Sequence, residues 1–311
     1  MRIIKALKTI NYRLLLAVFA AMLLPTIYQT VRIYFLGNLP SDGGINIASQ
    51  LSWVNLIYEV VQEALILPLF FLLGKSLSDK AEFANKVRTG LTITAGIYLI
   101  VSIVIIVCAK PLVVLMAQDE SLLQATIDYV RLETIAALFS TLWRFMMLVL
   151  VTLRKDAYMF IVLGVQMVLS VLLDTFLVSA LSVSVNMGVN GIAVTNIIVN
   201  FTILVIAGLL LKKEDIHFFA RVKWSFSWLK EWFKVGKFSG LESLLRNFVF
   251  MVMVVRMVNL VSEQGNYWIA NNFIWQWLML PSLALADVVK KEIAENRENV
   301  RNKTFGYLCL I

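Results

Sequence analysis

Histidine and cysteine are almost absent from this sequence. The 311 residues include one histidine, His217, and two cysteines, Cys108 and Cys309, which lie far apart in the chain. Haem or zinc sites built on histidine need more ligands than this, and the two cysteines imply neither a disulfide framework nor a metal pair. We therefore expect no cofactor and no metal site.

A nucleotide-binding loop is missing as well. The segment GKS at Gly74–Ser76 matches the end of a phosphate-binding loop, but residues 66–71 lack the earlier glycine that such a loop requires. A helix end followed by a basic loop explains the segment better. Because no nucleophile, metal or phosphate motif stands out, we do not expect an enzyme, and any pumping has to draw on an ion gradient.

Charged residues are also scarce. They make up 15% of the chain, against 60% hydrophobic residues, and the mean hydropathy is +0.81, whereas soluble chains are about a quarter charged. The apolar residues form blocks of about twenty or more, long enough to cross a bilayer as helices, rather than the short alternating segments of a barrel. The sequence predicts an all-α integral membrane protein with about eight transmembrane helices. The predicted spans are residues 14–36, 48–74, 89–109, 127–153, 157–181, 188–211, 236–261 and 266–289.

The basic residues indicate which side of the membrane each loop faces. The formal net charge is +8, and Lys and Arg concentrate in alternate loops, while the intervening loops contain only Lys110. By the positive-inside rule, this is a multi-pass protein of the cell membrane with a cytoplasmic N-terminus. Topology and attraction to anionic membrane lipid account for the charge, so nucleic acid is not an expected partner.

Ionisable residues inside a membrane span are costly and usually face a partner or a water-filled cavity. The first half of the chain holds Arg32, Glu59, Glu63, Arg131, Glu133, Arg144 and Asp174, the second half holds Glu242, Arg246, Arg256 and Asp287, and four of these residues stand out by depth and shared bundle. At about 1.5 Å per residue, Arg32 lies about 7 Å below the outer end of the first span, and Asp174 about 10 Å below the outer end of the fifth. Glu59 and Glu63 are four residues apart, so they share one face of the second span, nearer mid-membrane.

These four residues allow two interpretations. Each is a structural pair or a snorkelling side chain, or all four share one polar cavity in which Arg32 is held by Asp174, Glu59 or Glu63. In the second case three carboxylates face one guanidinium, and the excess negative charge attracts a proton or another cation. Coupling through protonation of Glu59 or Glu63, with Asp174 kept ionised by Arg32, follows from that interpretation.

Residues 212–235 form the clearest internal boundary. Aromatic residues alternate there with basic ones in the segment KKEDIHFFARVKWSFSWLKEWFKV. Two interpretations remain open: an amphipathic segment that senses lipid, or an interfacial linker between two bundles with its tryptophans at the headgroup level.

Six segments, in this order, resemble the multidrug and toxic compound extrusion (MATE) family of antiporters. They resemble the end of that family's first helix, the tyrosine–arginine stretch of its fourth, its fifth helix with the preceding loop, the start of its sixth, and its seventh and eighth. No single motif is decisive, but their order and spacing extend over nearly the whole chain. The segments are TVRIYFLGNL (Thr30–Leu39), DYVRLETI (Asp128–Ile135), LRKDAYMFIVLGVQMVLSVLLDTFLV (Leu153–Val178), GVNGIAVTNIIVN (Gly188–Asn200), VGKFSGLESLLRNF (Val235–Phe248) and NYWIANNFIWQWLMLPSLALAD (Asn266–Asp287).

The resemblance implies twelve helices in two six-helix lobes related by a pseudo-twofold axis. Residues 1–211 would then form one complete N-terminal lobe, 212–235 a cytoplasmic amphipathic linker, and 236–311 the first two helices of a second lobe. We therefore expect the chain to be truncated in the second lobe, with KTFGYLCLI at residues 303–311 as the start of a ninth span.

The resemblance also implies an ion site in the first lobe. Some family members use a first-helix aspartate, an asparagine and an aspartate one turn apart on the fifth helix, and a sixth-helix threonine. Asp174 and Thr195 match this set, and Ser170 stands where the asparagine would be. Arg32 replaces the first-helix aspartate, which argues against the usual sodium site and favours a tethered guanidinium.

A second polar site is expected in the second lobe. Arg246 falls where some family members have a seventh-helix glutamate, and Glu242, one turn earlier, is placed to pair with it.

The function implied by the resemblance is secondary active antiport. An amphiphilic, cationic drug or metabolite would be exported in exchange for protons or sodium by alternating access, and the full-length protein would be a monomer with small-molecule and lipid partners only. Two alternatives stay open: a lipid-linked oligosaccharide flippase of the same superfamily, and a membrane assembly subunit that transports nothing.

Overall fold

The described part of the chain is entirely helical. The computed structural model describes residues 12–39, 43–155, 157–216 and 224–295, and every regular element among them is a helix. Backbone groups in hydrocarbon must find hydrogen bonds within their own segment, which the long apolar runs achieve by coiling. The α-helices are α1 (Tyr12–Gly37), α2 (Gly44–Ser49), α3 (Leu51–Lys75), α4 (Lys80–Val107), α5 (Ala109–Leu115), α6 (Leu123–Thr152), α7 (Ala157–Leu177), α8 (Val189–Lys213), α9 (Leu229–Phe250), α10 (Arg256–Leu260), α11 (Gln264–Asn272) and α12 (Leu280–Glu295).

Most of these helices are long enough to cross a membrane. Six helical stretches of the described chain are long and apolar enough, and a bent pair, Gln264–Leu278 with Leu280–Val289, brings the number to seven. Helix α3 has 25 residues and covers most of the predicted second span, residues 48–74, but it is not one of these stretches. The prediction of an all-α integral membrane protein is thereby confirmed. The predicted ninth-span run at residues 303–311 lies outside the described residues.

Two of the spans contain π-helical turns. Residues Met251–Val255 join α9 to α10, and residues Phe273–Leu278 follow α11. A π turn holds one more residue than an α turn and is often found at functional sites.

The chain divides into two compact units. One contains Met1–Val31 with Trp268–Ile311, and the other contains Arg32–Tyr267. In the larger unit, α6 packs along α8, α7 packs on α8, and α3 packs along α9. The lobe and linker boundaries drawn from the sequence stay a prediction.

Helices α3 and α9 approach closely where glycines meet Ala64. A methyl group added to Gly236 would collide with the Ala64 carbonyl oxygen, and one added to Gly240 would lie 2.7 Å from the Ala64 Cβ. Small residues at such contacts allow helix backbones to approach in a membrane.

Helix α9 begins at Leu229, inside the predicted 212–235 linker. The Trp232 indole is fully buried and donates to the Leu65 carbonyl at 2.7 Å. Trp228 stacks on it, with ring centroids 4.9 Å apart, and donates to Thr89. These two tryptophans therefore anchor the start of α9 to α3 and α4. The preceding residues 217–223, including His217, lie outside the described residues.

Candidate functional site

A buried ion pair joins α1 to α7. The Arg32 guanidinium donates from Nε to Asp174 Oδ2 at 2.8 Å and from Nη2 to Asp174 Oδ1 at 3.2 Å. Arg32 is 7% exposed and Asp174 2%. The planar guanidinium thus binds both carboxylate oxygens at once, a geometry that lysine cannot reproduce.

The pair continues into a hydrogen-bonded network on α8 and α6. Arg32 Nη1 donates to Asn196 Oδ1 at 2.9 Å, and Asn196 Nδ2 donates to Glu133 Oε1 at 2.7 Å. Tyr129, one turn before Glu133 on α6, donates its hydroxyl to the same carboxylate. We call these five residues, Arg32, Asp174, Asn196, Glu133 and Tyr129, the ionic centre.

The ionic centre contains more acid than base. It holds the carboxyl groups of Asp174 and Glu133 against the single guanidinium of Arg32, and both carboxyl-bearing residues are buried. A charge buried in a membrane segment is tolerated only when it is paired or lines a polar pathway. With both carboxylates ionised, the two acids and one guanidinium of the centre sum to one net negative charge.

Two other predicted ion-site residues are close in sequence to residues of the ionic centre. Ser170 is buried on α7, one turn before Asp174, and Thr195 is fully buried on α8, next to Asn196. The Thr195 hydroxyl is one of the few buried side-chain oxygens in the described part of the chain without a hydrogen-bond partner.

The two predicted glutamates on α3 are not part of this network. Glu59 accepts from Arg246 Nη2 at 2.9 Å, and both side chains are partly exposed. Glu63 is half-buried, and its backbone carbonyl accepts from Ser239 at 2.7 Å. Arg32 is instead held by Asp174 and Asn196, so the four-residue cavity expected from the sequence is divided between two places.

The expected pair of Glu242 with Arg246 is also replaced. Glu242 is exposed, and Arg246 turns to Glu59 on α3. The close packing of α9 on α3 at the glycine contact explains this, because it places an acid of the neighbouring helix within reach. Packing between helices outweighed proximity along one helix.

Sequence reasoning noted Glu133 as an ionisable residue inside a span but did not assign it to the site, and it did not single out Asn196. Glu133 lies in the DYVRLETI segment four residues after Tyr129, and Asn196 directly follows Thr195. A signal was available: Glu133 is an acid in the middle of a long apolar helix, and Tyr129 lies on its face.

A second buried polar network is made of amides. Gln50 and Asn259 exchange two hydrogen bonds, of 2.7 Å and 3.0 Å. Gln50 also donates to Gln118 at 3.1 Å, and Asn259 donates to the Met116 carbonyl at 2.8 Å. We call Gln50, Gln118 and Asn259 the amide cluster; it ties the start of α3 to α10 and to the loop after α5.

The smaller unit contains a cavity of 370 Å³. Its walls are mainly apolar and aromatic, with Tyr28 and Trp275 beside the amides of Gln29 and Gln276. Gln276 belongs to the π-helical turn Phe273–Leu278, and its carbonyl accepts from Thr26 at 3.4 Å. The lining thus combines apolar and aromatic side chains with two amide groups.

The side chains that could bind a metal ion are scattered among the described residues. Those residues contain no group of three or more His, Cys, Asp or Glu side chains placed to hold a metal ion. At the ionic centre a guanidinium already takes both oxygens of Asp174.

Solved structures match the chain, whereas no protein-family model and no curated protein does. Among solved structures, it is similar to a mutant of a Vibrio cholerae MATE transporter, with a TM-score of 0.70 and 14% identity, over 99% of this chain and 71% of that one. It is also similar to a multidrug resistance MATE family transporter in an outward-facing conformation, with a TM-score of 0.69 and 16% identity over 98% and 68%.

A third solved structure, the MATE multidrug transporter DinF-BH, matches with a TM-score of 0.64 and 16% identity over 98% of this chain and 67% of that one. The motif order read from the sequence and the arrangement of the helices thus lead to the same fold. This chain has the fold of the MATE transporters.

Proposed function

We propose that the protein is a secondary active antiporter that exports amphiphilic, cationic drugs or metabolites in exchange for an inward-moving cation. The observation that carries the proposal is the ionic centre: a buried network with one guanidinium and two carboxyl groups, inside membrane-spanning helices. Such groups in a span are costly and mark ion pathways in transporters. The resemblance to solved MATE transporters supports the same class of function.

The coupling cation is a proton or sodium, and the ionic centre favours the proton. Sodium is bound by oxygen ligands, while Arg32 presents a fixed positive charge at Asp174 and occupies both of its oxygens. A second cation beside that guanidinium would be repelled. A proton instead adds to a carboxylate oxygen and needs no further ligands.

The cavity of the smaller unit supports the proposed solute class. Aromatic faces such as those of Tyr28 and Trp275 attract organic cations, and the amides of Gln29 and Gln276 supply hydrogen bonds without a competing charge. Apolar walls with a few polar groups suit an amphiphilic molecule. Solute and cation would be moved by alternating access, with the N-terminus in the cytoplasm as the basic loops predict.

The proposal is tested with purified protein, expressed from its complete reading frame and reconstituted in sealed vesicles. A cationic dye is loaded, and either a pH gradient or a sodium gradient is imposed. We expect dye movement under the pH gradient and none under sodium alone. The matched control is the Asp174→Asn variant at equal incorporation.

The vesicle experiment also separates the alternatives. Movement of a fluorescent lipid-linked sugar with no movement of dye would identify a flippase. If neither probe moves under any gradient, the proposal is wrong and a subunit without transport activity is the better account.

A further inference from the structure

We propose that Glu133 is the residue that binds the coupling proton, while Asp174 stays paired with the Arg32 guanidinium. That this proton drives transport rests on the proposed function; that Glu133 binds it does not. The proton site would therefore lie on α6, at the end of the network that starts at Arg32, and not on the α3 glutamates.

The two carboxyl groups of the ionic centre have different partners. Asp174 receives two bonds from the guanidinium, which carries a full positive charge. Glu133 receives its hydrogen bonds from neutral groups, the Asn196 amide and the Tyr129 hydroxyl. Neutral donors stabilise a buried anion less than a guanidinium does.

Protonation therefore has different consequences at the two positions. A proton on Asp174 would leave Arg32 without its matched charge in a buried position, which is costly. A proton on Glu133 would instead remove the one uncompensated charge of the centre and make it neutral overall. Two interacting carboxyl groups release their protons in separate steps, and the geometry assigns the step at ordinary pH to Glu133.

Groups from every helix of the ionic centre act on Glu133. Glu133 interacts electrostatically with Arg32 from α1, Asp174 from α7 and Tyr129 from α6. Helix α8 contributes only the neutral Asn196. The alternative carrier Glu59 already has a cationic partner in Arg246, at 2.9 Å.

Binding and release of this proton would act on four helices at once. The ionic centre links α1, α6, α7 and α8 through side chains only, so a change in its charge alters the attraction among them without breaking a backbone contact. A centre with a net negative charge holds the Arg32 side chain more tightly than a neutral one. Proton binding at Glu133 thus loosens the hold on α1.

The test measures the proton directly and does not need transport. Infrared difference spectra of purified protein in sodium-free micelles are recorded between alkaline and acidic buffer. A buried carboxylic acid gives a C=O band that exchanges slowly in D₂O. We expect this band in the parent and in Asp128→Asn, an exposed acid on the same helix, and its loss in Glu133→Gln.

Three results would overturn the inference. The band persists in Glu133→Gln and disappears in Asp174→Asn or Glu59→Gln, the parent shows no such band, or sodium abolishes it. If Glu133→Gln does not give a monodisperse protein, Glu133→Asp serves instead, and the band must then appear at a different pH from that of the parent.

The vesicle assay separates this inference from the proposed function. A parent with the band but without dye movement contradicts the proposed function and supports the proton site. Proton-driven dye movement that survives in Glu133→Gln contradicts Glu133 as the carrier and leaves the transporter standing.

Discussion

The ionic centre and the amide cluster are both buried, hydrogen-bonded and built from residues far apart in the chain, but only the ionic centre has charge. Gln50 and Asn259 satisfy each other through two reciprocal bonds. Neither amide gains or loses a proton at ordinary pH, so this network is the same in every ionic condition. The ionic centre has one carboxyl group more than its guanidinium can match. The two networks are thus both buried but differ in charge, which is why the proposed proton site lies in the ionic centre and not in the amide cluster.

The largest effect on stability is expected at Asp174. Asp174→Asn leaves the buried Arg32 guanidinium without a matched carboxylate, and breaking a buried ion pair in this way costs about 3–5 kcal/mol of the free energy of unfolding. Thermal and denaturant unfolding in micelles measures it. Asp128→Asn, an exposed acid on α6, is the control and should change stability by at most about 0.5 kcal/mol.

A double variant sharpens this prediction. Arg32→Leu combined with Asp174→Leu removes both charges together, and such replacements recover much of the lost stability. Equal loss in the single and double variants would mean that packing, and not charge, dominates at this position.

The next largest effect is expected in the amide cluster. Asn259→Leu removes both bonds to Gln50 and the bond to the Met116 carbonyl, which leaves buried polar groups unsatisfied. We expect a loss of about 1–3 kcal/mol, in the upper part of that range. The loss should be the same in acidic and neutral buffer, because no group of the cluster titrates. A pH-dependent loss would show that the two networks are coupled.

A smaller effect is expected at the contact between α3 and α9. Gly240→Ala adds one methyl group against Ala64, and overpacking of this kind costs about 1–3 kcal/mol, here in the lower part of the range. Helix α9 continues into α10, which carries Asn259, so the amide cluster should loosen while the ionic centre does not. Hydrogen exchange at both places measures this. Gly208→Ala, at a helical glycine with nothing within 4 Å, is the control.

The smallest effect is expected at a charged contact outside the membrane-spanning segments. Lys155 Nζ lies 3.0 Å from Glu214 Oε2. The hydrogen bond from Lys155 holds the pKa of Glu214 below its usual 4.5, and the same bond raises the pKa of Lys155 above its usual 10.5. The pair therefore stabilises the fold between these values. Its contribution is lost as pH falls through the lowered pKa of Glu214 or rises through the raised pKa of Lys155.

This contact lies at the surface, with the Lys155 side chain 46% exposed and that of Glu214 17%, so its removal should change the unfolding temperature only slightly at neutral pH. Glu214→Gln compared with the parent, in neutral and in strongly acidic buffer, measures the difference. The two proteins should become equal in acid; a difference that grows as pH falls would contradict the assignment.

Much of the fold could be predicted from the sequence, because the membrane dictates the length and composition of each span. A helix in hydrocarbon needs a long apolar run, so the spans follow from composition alone. Depth was also readable, because the rise per residue of a helix is fixed. Arg32 and Asp174 were placed at similar depths on that basis, and the structure brings them together.

The sequence did not predict how each helix is rotated about its own axis. Glu59 and Glu63 share a face of α3, but their sequence does not say which neighbour that face meets. The neighbour is α9, drawn close by Gly236 and Gly240 against Ala64. Glu133 was visible as an acid in an apolar helix, but the sequence does not show that Asn196 links it to Arg32, because a hydrogen-bond chain over four helices has no signature in any one of them. The roles given to the site residues remain predictions.

Asn196 gives the ionic centre a direction. A guanidinium can only donate and an ionised carboxylate can only accept, so the carbonyl of this amide must face Arg32 and its NH₂ must face Glu133. The amide therefore links the guanidinium of Arg32 to the carboxyl group of Glu133 in one orientation only. Aspartate at this position would offer acceptors to both sides and add a third negative charge, while leucine would cut the chain. Of the side chains of this size, only asparagine can accept a hydrogen bond from Arg32 and also donate one to the ionised carboxylate of Glu133.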